Sequence, residues 1–322
     1  MHSNGHERKF PPVEKSTCAA VISAYRPPQS LVLRVEDLLA QFSTVVVVDD
    51  SGTGDSVVLD QCRDKGAITI HQTRNMGIAA ALNRGIAEVK AVNPAAKHIV
   101  TFDQDSAPSL GFLEGFESAA SEAERDGVPF GSISPAIINE TRVRSTRSAG
   151  SYHEVTEPIQ SGTLVPLRVL EEIGGFDESL FIDGVDTDAY WRMRSMGYVA
   201  IAARAVRLEH ELGTRSAANF LGRELTVHGA PLLIMQSAPF RYYYLVRNRC
   251  ELTRRYIRSY PLSMVRGIAL DLRHLIIVLV LGSARSTRIR FMAKGLVDGL
   301  KGVGGSIAAS TGRAPLKGVG HE

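Results

Sequence analysis

Cysteine is scarce. Cys18, Cys62 and Cys250 are the three in 322 residues, an odd number without a C-x-x-C pair, so neither a disulfide framework nor a zinc knuckle is expected and a reducing cytoplasm suits the chain. No uncharged apolar run reaches the roughly 18 residues that a spanning helix needs, and mean hydropathy is −0.02, so the chain is expected to be soluble or peripheral. The start is polar and has no apolar core, which excludes a secretory signal and predicts a loose tail over 1–16. There is no internal repeat. Tyr25-Arg26-Pro27-Pro28 stands where a nucleotidyltransferase would carry a Gly-rich basic phosphate loop, which argues against that class.

What is present is a hydrophobic content of 44% and 22% charged residues, enough to bury one large core or two smaller ones. The net charge of +3 hides an asymmetry: residues 241–322 hold 15 Lys/Arg against 4 Asp/Glu, residues 1–240 hold 22 against 30. An acid-rich part is followed by a basic one whose expected partner is anionic: a membrane face, a pyrophosphate-bearing substrate or nucleic acid. A merely solvated set of helices is the plain alternative.

CAAVIS at 18–23, VVVV at 45–48, AITIH at 67–71 and HIVTF at 98–102 are short apolar runs bounded by polar clusters, with helical patterns at 31–39 and 77–89 between them. Such runs read as strands buried on both faces of a parallel sheet, and their alternation with helices predicts a doubly wound α/β fold. Ligands in such sheets bind beyond the carboxyl ends of the strands. Tyr25-Arg26, Asp49-Asp50, Arg74-Asn75 and Asp103-Gln104-Asp105 are therefore expected to share one crevice. Further on, 133–138 and 160–165 read as strands, 142–153 as a polar loop, 167–173 as a helix, and 187–196 as a helix closed by Gly197. Leu262, Val265, Ile268, Leu272, Leu275, Ile276 and Leu279 have helical spacing. From 302 onward Gly, Ser and Ala predict disorder.

Two carboxylates, Asp103 and Asp105, directly after a strand can converge on a hard cation, Mg²⁺ or Mn²⁺, which would bridge a nucleotide diphosphate. Helix capping is the alternative use of the triplet. His210 could add a ring nitrogen to the site, or be structural. Asp49 and Asp50 offer acceptors to a base or ribose, or cap the next turn. Arg74, Asn75 and Gly77 make a helix start or a phosphate contact. Asp183, Asp186 and Asp188, followed by Arg192, supply a candidate base for an acceptor hydroxyl; Asp186 is preferred, and a purely structural acid cluster is the alternative.

In order along the chain, VVVVDDSGTGD at 45–55, RNMGIAAALNRGI at 74–86, TFDQDS at 101–106, QSGTLVP at 160–166, GGFDESLFIDGVDTDAYWRMRSMGY at 174–198, HELG at 210–213 and RYYYLVRN at 241–248 resemble glycosyltransferase family 2, the inverting enzymes of the GT-A fold, and within it the rhamnosyltransferase-like branch. The resemblance implies a nucleotide site lined by Tyr25, Arg26, Asp49, Asp50, Arg74, Asn75, Gly77, Asp103 and Gln104. It implies a metal held by Asp103, Asp105 and His210, and a donor sugar and acceptor region at Gly162, Thr163, Asp183 and Arg192. Asp186 falls on the base position, with Asp188 as the alternative because Val185 stands where many relatives have Glu. The implied donor is a nucleotide sugar, dTDP-L-rhamnose first and a UDP-sugar such as UDP-galactose, UDP-galactofuranose or UDP-GlcNAc second. The implied acceptor is a cell-envelope glycan or glycolipid.

The expected layout is a tail over 1–16, a GT-A domain over 17–240 (nucleotide part 17–130, acceptor part 131–240), a basic helical extension over 241–301 and a tail over 302–322. The basic helices would lie on an anionic membrane, at the inner face of the cytoplasmic membrane, or pack on the catalytic part. No nucleic-acid partner is expected, because no reading motif is present; a homo-oligomer is allowed. A non-catalytic nucleotide- or phospho-signalling domain also ends strands in acidic groups, but Asp49-Asp50 follow the second strand here, and that class leaves 160–213 unexplained.

Overall fold

The apolar runs form the four parallel strands β1 (Cys18–Ala24), β2 (Thr44–Asp49), β3 (Ile68–His71) and β4 (His98–Asp103), with helices α1 (Leu31–Gln41), α2 (Val57–Asp64) and α3 (Ile78–Val92) between them. The computed structural model describes residues 10–53, 56–148, 150–210, 214–220 and 223–308. It divides into two units, residues 1–177 with 185–211 and residues 178–184 with 212–322. The second unit thus takes in residues 178–184 and the hairpins that follow 212 together with the helices expected from 241.

The first unit continues with β5 (Ala107–Pro108), α4 (Phe112–Arg125), β6 (Phe130–Ile138), β7 (Thr141–Arg142), β8 (Ser145–Ser148), β9 (Tyr152–Val155), β10 (Thr163–Pro166), α5 (Leu167–Glu172), α6 (Val185–Ser195) and β11 (Val199–Glu209). Its sheet runs β3-β2-β1-β4-β10-β6-β11-β9-β8. β10 is antiparallel to β4 and β6, and β11 is parallel to β6. The chain reverses its direction of winding between β1 and β4, where an open sheet leaves a crevice.

Val45, Val46, Val47 and Val48 are all buried, as expected of a strand covered on both faces. α3 approaches the sheet closely because it is built of alanine and Gly85: a Cβ there would overlap Cγ1 of Val21 and lie 3.2 Å from Cγ2 of Val48.

Three expectations are corrected. The polar segment 142–153 is not a loop, for β8 and β9 pair with each other and β9 pairs with β11; β8 is the exposed edge strand and carries polar side chains, so it lacks the apolar signal. The strand expected from 160 starts at Thr163, since Gly162 turns at φ +70°. Residues 10–16 are not loose: Phe10 and Val13 are buried, and the Phe10 ring stacks on Phe130 at 4.0 Å with the Arg168 guanidinium 3.9 Å above it. Residues 1–9 lie outside the described residues.

The second unit holds short hairpins, in which Thr214–Ala217 pairs with Leu233–Gln236, and three helices, α7 (Arg241–Tyr256), α8 (Pro261–Leu281) and α9 (Arg285–Leu300). The RYYYLVRN run forms the start of α7 and cradles residues 178–184. Arg247, 2% exposed, donates to the carbonyls of Ser179, Leu180 and Gly305, and Asn248 Nδ2 donates to those of Leu180, Ile182 and Asp183. Phe181 stacks on Tyr244 at 4.9 Å. Residues 302–308, expected to be disordered, are tied in as well: the amide of Ile307 donates to Tyr244 Oη at 2.9 Å, and that of Gly305 to Ser179 O at 2.6 Å. Residues 309–322 lie outside the described residues.

Candidate active site

All four expected clusters end neighbouring strands of the first unit. Ala24 pairs with Asp49, Asp49 with His71, and Ser23 with Asp103, so the parallel register brings the four strand ends to one edge. Gln104 ties two of them together: its Oε1 accepts from the Tyr25 amide at 2.8 Å, while its carbonyl accepts from Arg34 Nη1 at 2.7 Å. Tyr25 remains 45% exposed, and Arg26, at φ +50°, lies over its ring at 5.4 Å.

Asp49 and Asp50 are both buried. Asp49 accepts from the amide and hydroxyl of Ser51 at 3.0 and 2.8 Å. Asp50 accepts from the amides of Met76 and Gly77 at 2.7 and 2.6 Å and from Gln72 Nε2 at 2.9 Å. It thus clamps the end of β2 to the start of α3, a positive helix terminus that suits a carboxylate. Burial pushes its carboxyl up to about 7, against the opposing pull of the Met76 and Gly77 amides. Arg74 is exposed beside this clamp, its Nε 3.0 Å from Met76 Sδ. Gly77 is the helix N-cap at φ +92°, and Asn75 Oδ1 accepts from its amide at 3.1 Å.

Asp103, Asp105 and His210 come together although more than a hundred residues separate them: one ligand atom from each lies within 4.8 Å of the others. His210 Nε2 is 3.8 Å from Asp103 Oδ2, and Nδ1 is 3.2 Å from Asp105 Oδ1. Asp105 Oδ1 is buried and accepts no hydrogen bond among the described residues. A buried carboxylate oxygen without a donor is costly unless a cation serves it. Two carboxylates and one imidazole are a donor set that Mg²⁺ accepts and Mn²⁺ suits.

Three residues not among the expected site residues hold this cluster, two of them, Ser106 and Ser161, inside the TFDQDS and QSGTLVP segments. Asn139 accepts from the His210 amide at 2.9 Å and donates to its carbonyl at 2.8 Å. Ser106 Oγ contacts His210 Nδ1 at 2.9 Å and Ser161 Oγ at 2.6 Å, and Ser161 Oγ accepts from the Asp103 amide at 3.0 Å. Such outer partners orient ligand side chains. Nothing in a single sequence distinguishes these small polar residues from turn formers.

Gly162 donates to Thr101 O at 2.7 Å, and Thr163 Oγ1, on a buried side chain, donates to Ile159 O at 2.6 Å, so both residues build the turn into β10. Asp186 and Asp188 open α6 but differ in surroundings. Asp186 is part-exposed and accepts from the Thr187 amide at 2.8 Å. Asp188 is fully buried and accepts from Arg192 Nε at 2.7 Å, while Arg192 Nη1 donates to the carbonyls of Ile173 and Gly175. That pair pins the GGFD turn, which Asn83 holds from the other side through the amide and carbonyl of Phe176, both at 2.9 Å. A buried, paired carboxylate is poorly placed to take a proton from a substrate, which leaves Asp186 as the better candidate. Asp183 belongs to the second unit, at φ +63°, and is ion-paired with Arg241. Of HELG, residues 211–213 lie outside the described residues.

Replacing Asp188 with Ala leaves the Arg192 guanidinium without its carboxylate and is expected to cost about 3 kcal/mol of stability. Urea unfolding checks this; a loss of a few tenths would show that the pair contributes little.

A switch-point crevice lined by acidic strand ends, with a carboxylate–imidazole cluster beside it, is a place where a phosphate-bearing ligand and a cation can meet, and the fold is that of the GT-A glycosyltransferases. Residues 19–167 match the model of the family "Glycosyl transferase family 2". The chain is 28% identical to the dTDP-rhamnosyl transferase RfbF of Shigella flexneri over 307 residues, 90% of this chain and 97% of that one. Among solved structures it is similar to GalNAc-T7, crystallised with UDP, GalNAc and Mn²⁺, at TM-score 0.54 and 14% identity; the match covers 93% of this chain and 58% of that one. It also matches S. aureus TarS in complex with UDP, at TM-score 0.45 and 13% identity over 89% of this chain and 92% of that one. Among the described residues no helix is long and apolar enough to cross a membrane.

Proposed function

We propose that this glycosyltransferase moves L-rhamnose from dTDP-L-rhamnose to a hydroxyl of a glycan or lipid-linked acceptor, with inversion at the sugar carbon. The donor is suggested by the likeness to the Shigella enzyme along nearly the whole of both chains; the chemistry is carried by the convergence of Asp103, Asp105 and His210. These three residues would hold Mg²⁺ or Mn²⁺, and such an ion neutralises charge that gathers on a leaving diphosphate.

The protein's own groups do the rest. Arg74, exposed beside the start of α3, attracts the negative diphosphate. Tyr25 and Arg26 form an exposed platform for the base, and Asp50, held by Met76 and Gly77, keeps acceptor positions for it. Gly162 and Thr163 lie beside the donor sugar. Asp186 takes the proton from the acceptor hydroxyl as its oxygen bonds to the anomeric carbon and the bond to the diphosphate oxygen breaks with its electron pair. No covalent sugar–enzyme intermediate forms, and one displacement inverts the carbon.

Calorimetry with dTDP, UDP and GDP, each with and without Mn²⁺, tests the donor. Metal-dependent preference for dTDP is the expected result. Preference for UDP would retain the transferase and replace the donor with a UDP-sugar; no binding of any nucleotide would overturn the proposal.

A further inference from the structure

The second unit carries an outer surface that glycosyl transfer does not use. α8 packs through Met264 and Val278, both fully buried, through Asp271, which accepts from Arg249 Nε at 2.6 Å, and through His274, stacked on Tyr242 at 5.9 Å. Its opposite face is apolar and open. Leu262 is 85% exposed, Val265 58%, Leu272 53% and Ile276 61%, with Ala269 and Val280 exposed on the same line. At about 100° per residue these positions fall on one arc, and Arg266 and Arg273, both exposed, flank it on one side. α9 adds exposed Ile289, Leu296, Val297 and Leu300 together with Arg290 and Lys301.

We infer that this face of α8, extended by α9, docks on an anionic lipid surface, with the helices lying in the headgroup region. The leucines and isoleucines reach the acyl boundary, while the arginines meet lipid phosphates. Charge decides the occupant. Glu251, Asp271 and Asp298 are the carboxylates of 241–308, and each is engaged within the unit: Glu251 with Arg254 and Arg255, Asp271 with Arg249, Asp298 with Lys294. A second copy of the chain would cover the apolar line but bring only further cations to it, and like charges across an interface disfavour association. Nucleic acid would answer the arginines and leave the leucines in water. An anionic bilayer satisfies both sets of side chains. Unlike a spanning helix, an interfacial one keeps its charged residues among the headgroups, in line with Arg266 and Arg273 in the middle of the apolar stretch.

The test is flotation of the full chain with vesicles of phosphatidylcholine alone or with roughly a quarter phosphatidylglycerol, without nucleotide, so that its outcome is separate from that of the donor assignment. Binding to the anionic vesicles is expected to be at least about tenfold stronger than to the neutral ones and to weaken as salt is raised. The double variant Leu272→Glu/Ile276→Glu, at exposed positions and with unchanged circular dichroism and thermal midpoint, should lose that binding. Arg266→Glu/Arg273→Glu should lose the preference for anionic vesicles. Equal or absent binding to both vesicles, or binding that survives Leu272→Glu/Ile276→Glu, overturns the inference. So does a dimer in light scattering that Ile276→Glu dissociates, or salt-sensitive DNA binding, when either occurs without vesicle binding.

Discussion

Asp186→Asn is expected to lower the rate of sugar transfer by about 10²- to 10⁴-fold, the usual loss when a positioned general base is removed. Asparagine has nearly the same shape and keeps a side-chain oxygen that accepts from the Thr187 amide, as Asp186 does. The start of α6 is therefore preserved, and the lost property is the ability to take a proton. Nucleotide affinity, measured by calorimetry, should stay within about twofold, because binding energy common to ground and transition states is untouched. The rate is read as nucleoside diphosphate released in the presence of acceptor. Full activity would place the base elsewhere. It would not restore Asp188 as a simple alternative, for that carboxylate is fully buried against Arg192.

The second large effect is expected at the acidic strand end. Asp103→Ala together with Asp105→Ala removes two of the three groups that lie within 4.8 Å of one another. Mn²⁺ should then cease to strengthen dTDP binding, and transfer should fall below detection. His210→Ala should weaken the metal effect less, since both carboxylates remain. The fold should survive each change: Asp103 sits at the carboxyl end of β4, and the sheet is held by backbone pairing and the buried valines of β2 rather than by these side chains. Unchanged Mn²⁺-dependent affinity in the double variant would refute the metal assignment.

The two effects separate the roles of two carboxylate sites. Loss at Asp186 should reach turnover and spare binding, whereas loss at Asp103 and Asp105 should reach binding first. An Asp103/Asp105 variant that bound nucleotide normally and failed only in turnover would place the cation, if any, on the acceptor side of the reaction.

Much of the first unit is legible in the sequence because its signals are local. The apolar runs of β1, β2 and β4 are buried inner strands, β3 closes the sheet beside them at half burial, and the four runs ending in polar clusters place a crevice at the strand ends. The strand β8 is illegible for the same reason in reverse: at the sheet edge its side chains meet water, so composition cannot mark it, while β9 inside it is only four residues long and mixes buried Tyr152, His153 and Val155 with Glu154. The packing of Phe10 on Phe130 and the tethering of Gly305 by Arg247 are equally hidden, since a Gly- or Pro-rich segment is ordered only by what it touches.

The sequence by itself determined the four parallel strands of the α/β sheet, the edge at which its acidic groups gather and the basic character of the last quarter. These follow from hydrophobic periodicity and charge, which act on near neighbours. Only the tertiary structure decided what surrounds those groups. It brought His210 to Asp103 and Asp105, enclosed Asp188 with Arg192 while leaving Asp186 accessible, gave Asp50 the task of closing β2 on α3, and turned the apolar line of α8 outward. Each outcome depends on contacts between segments far apart in the chain, and burial and pairing there, rather than residue type, fix what a side chain can do.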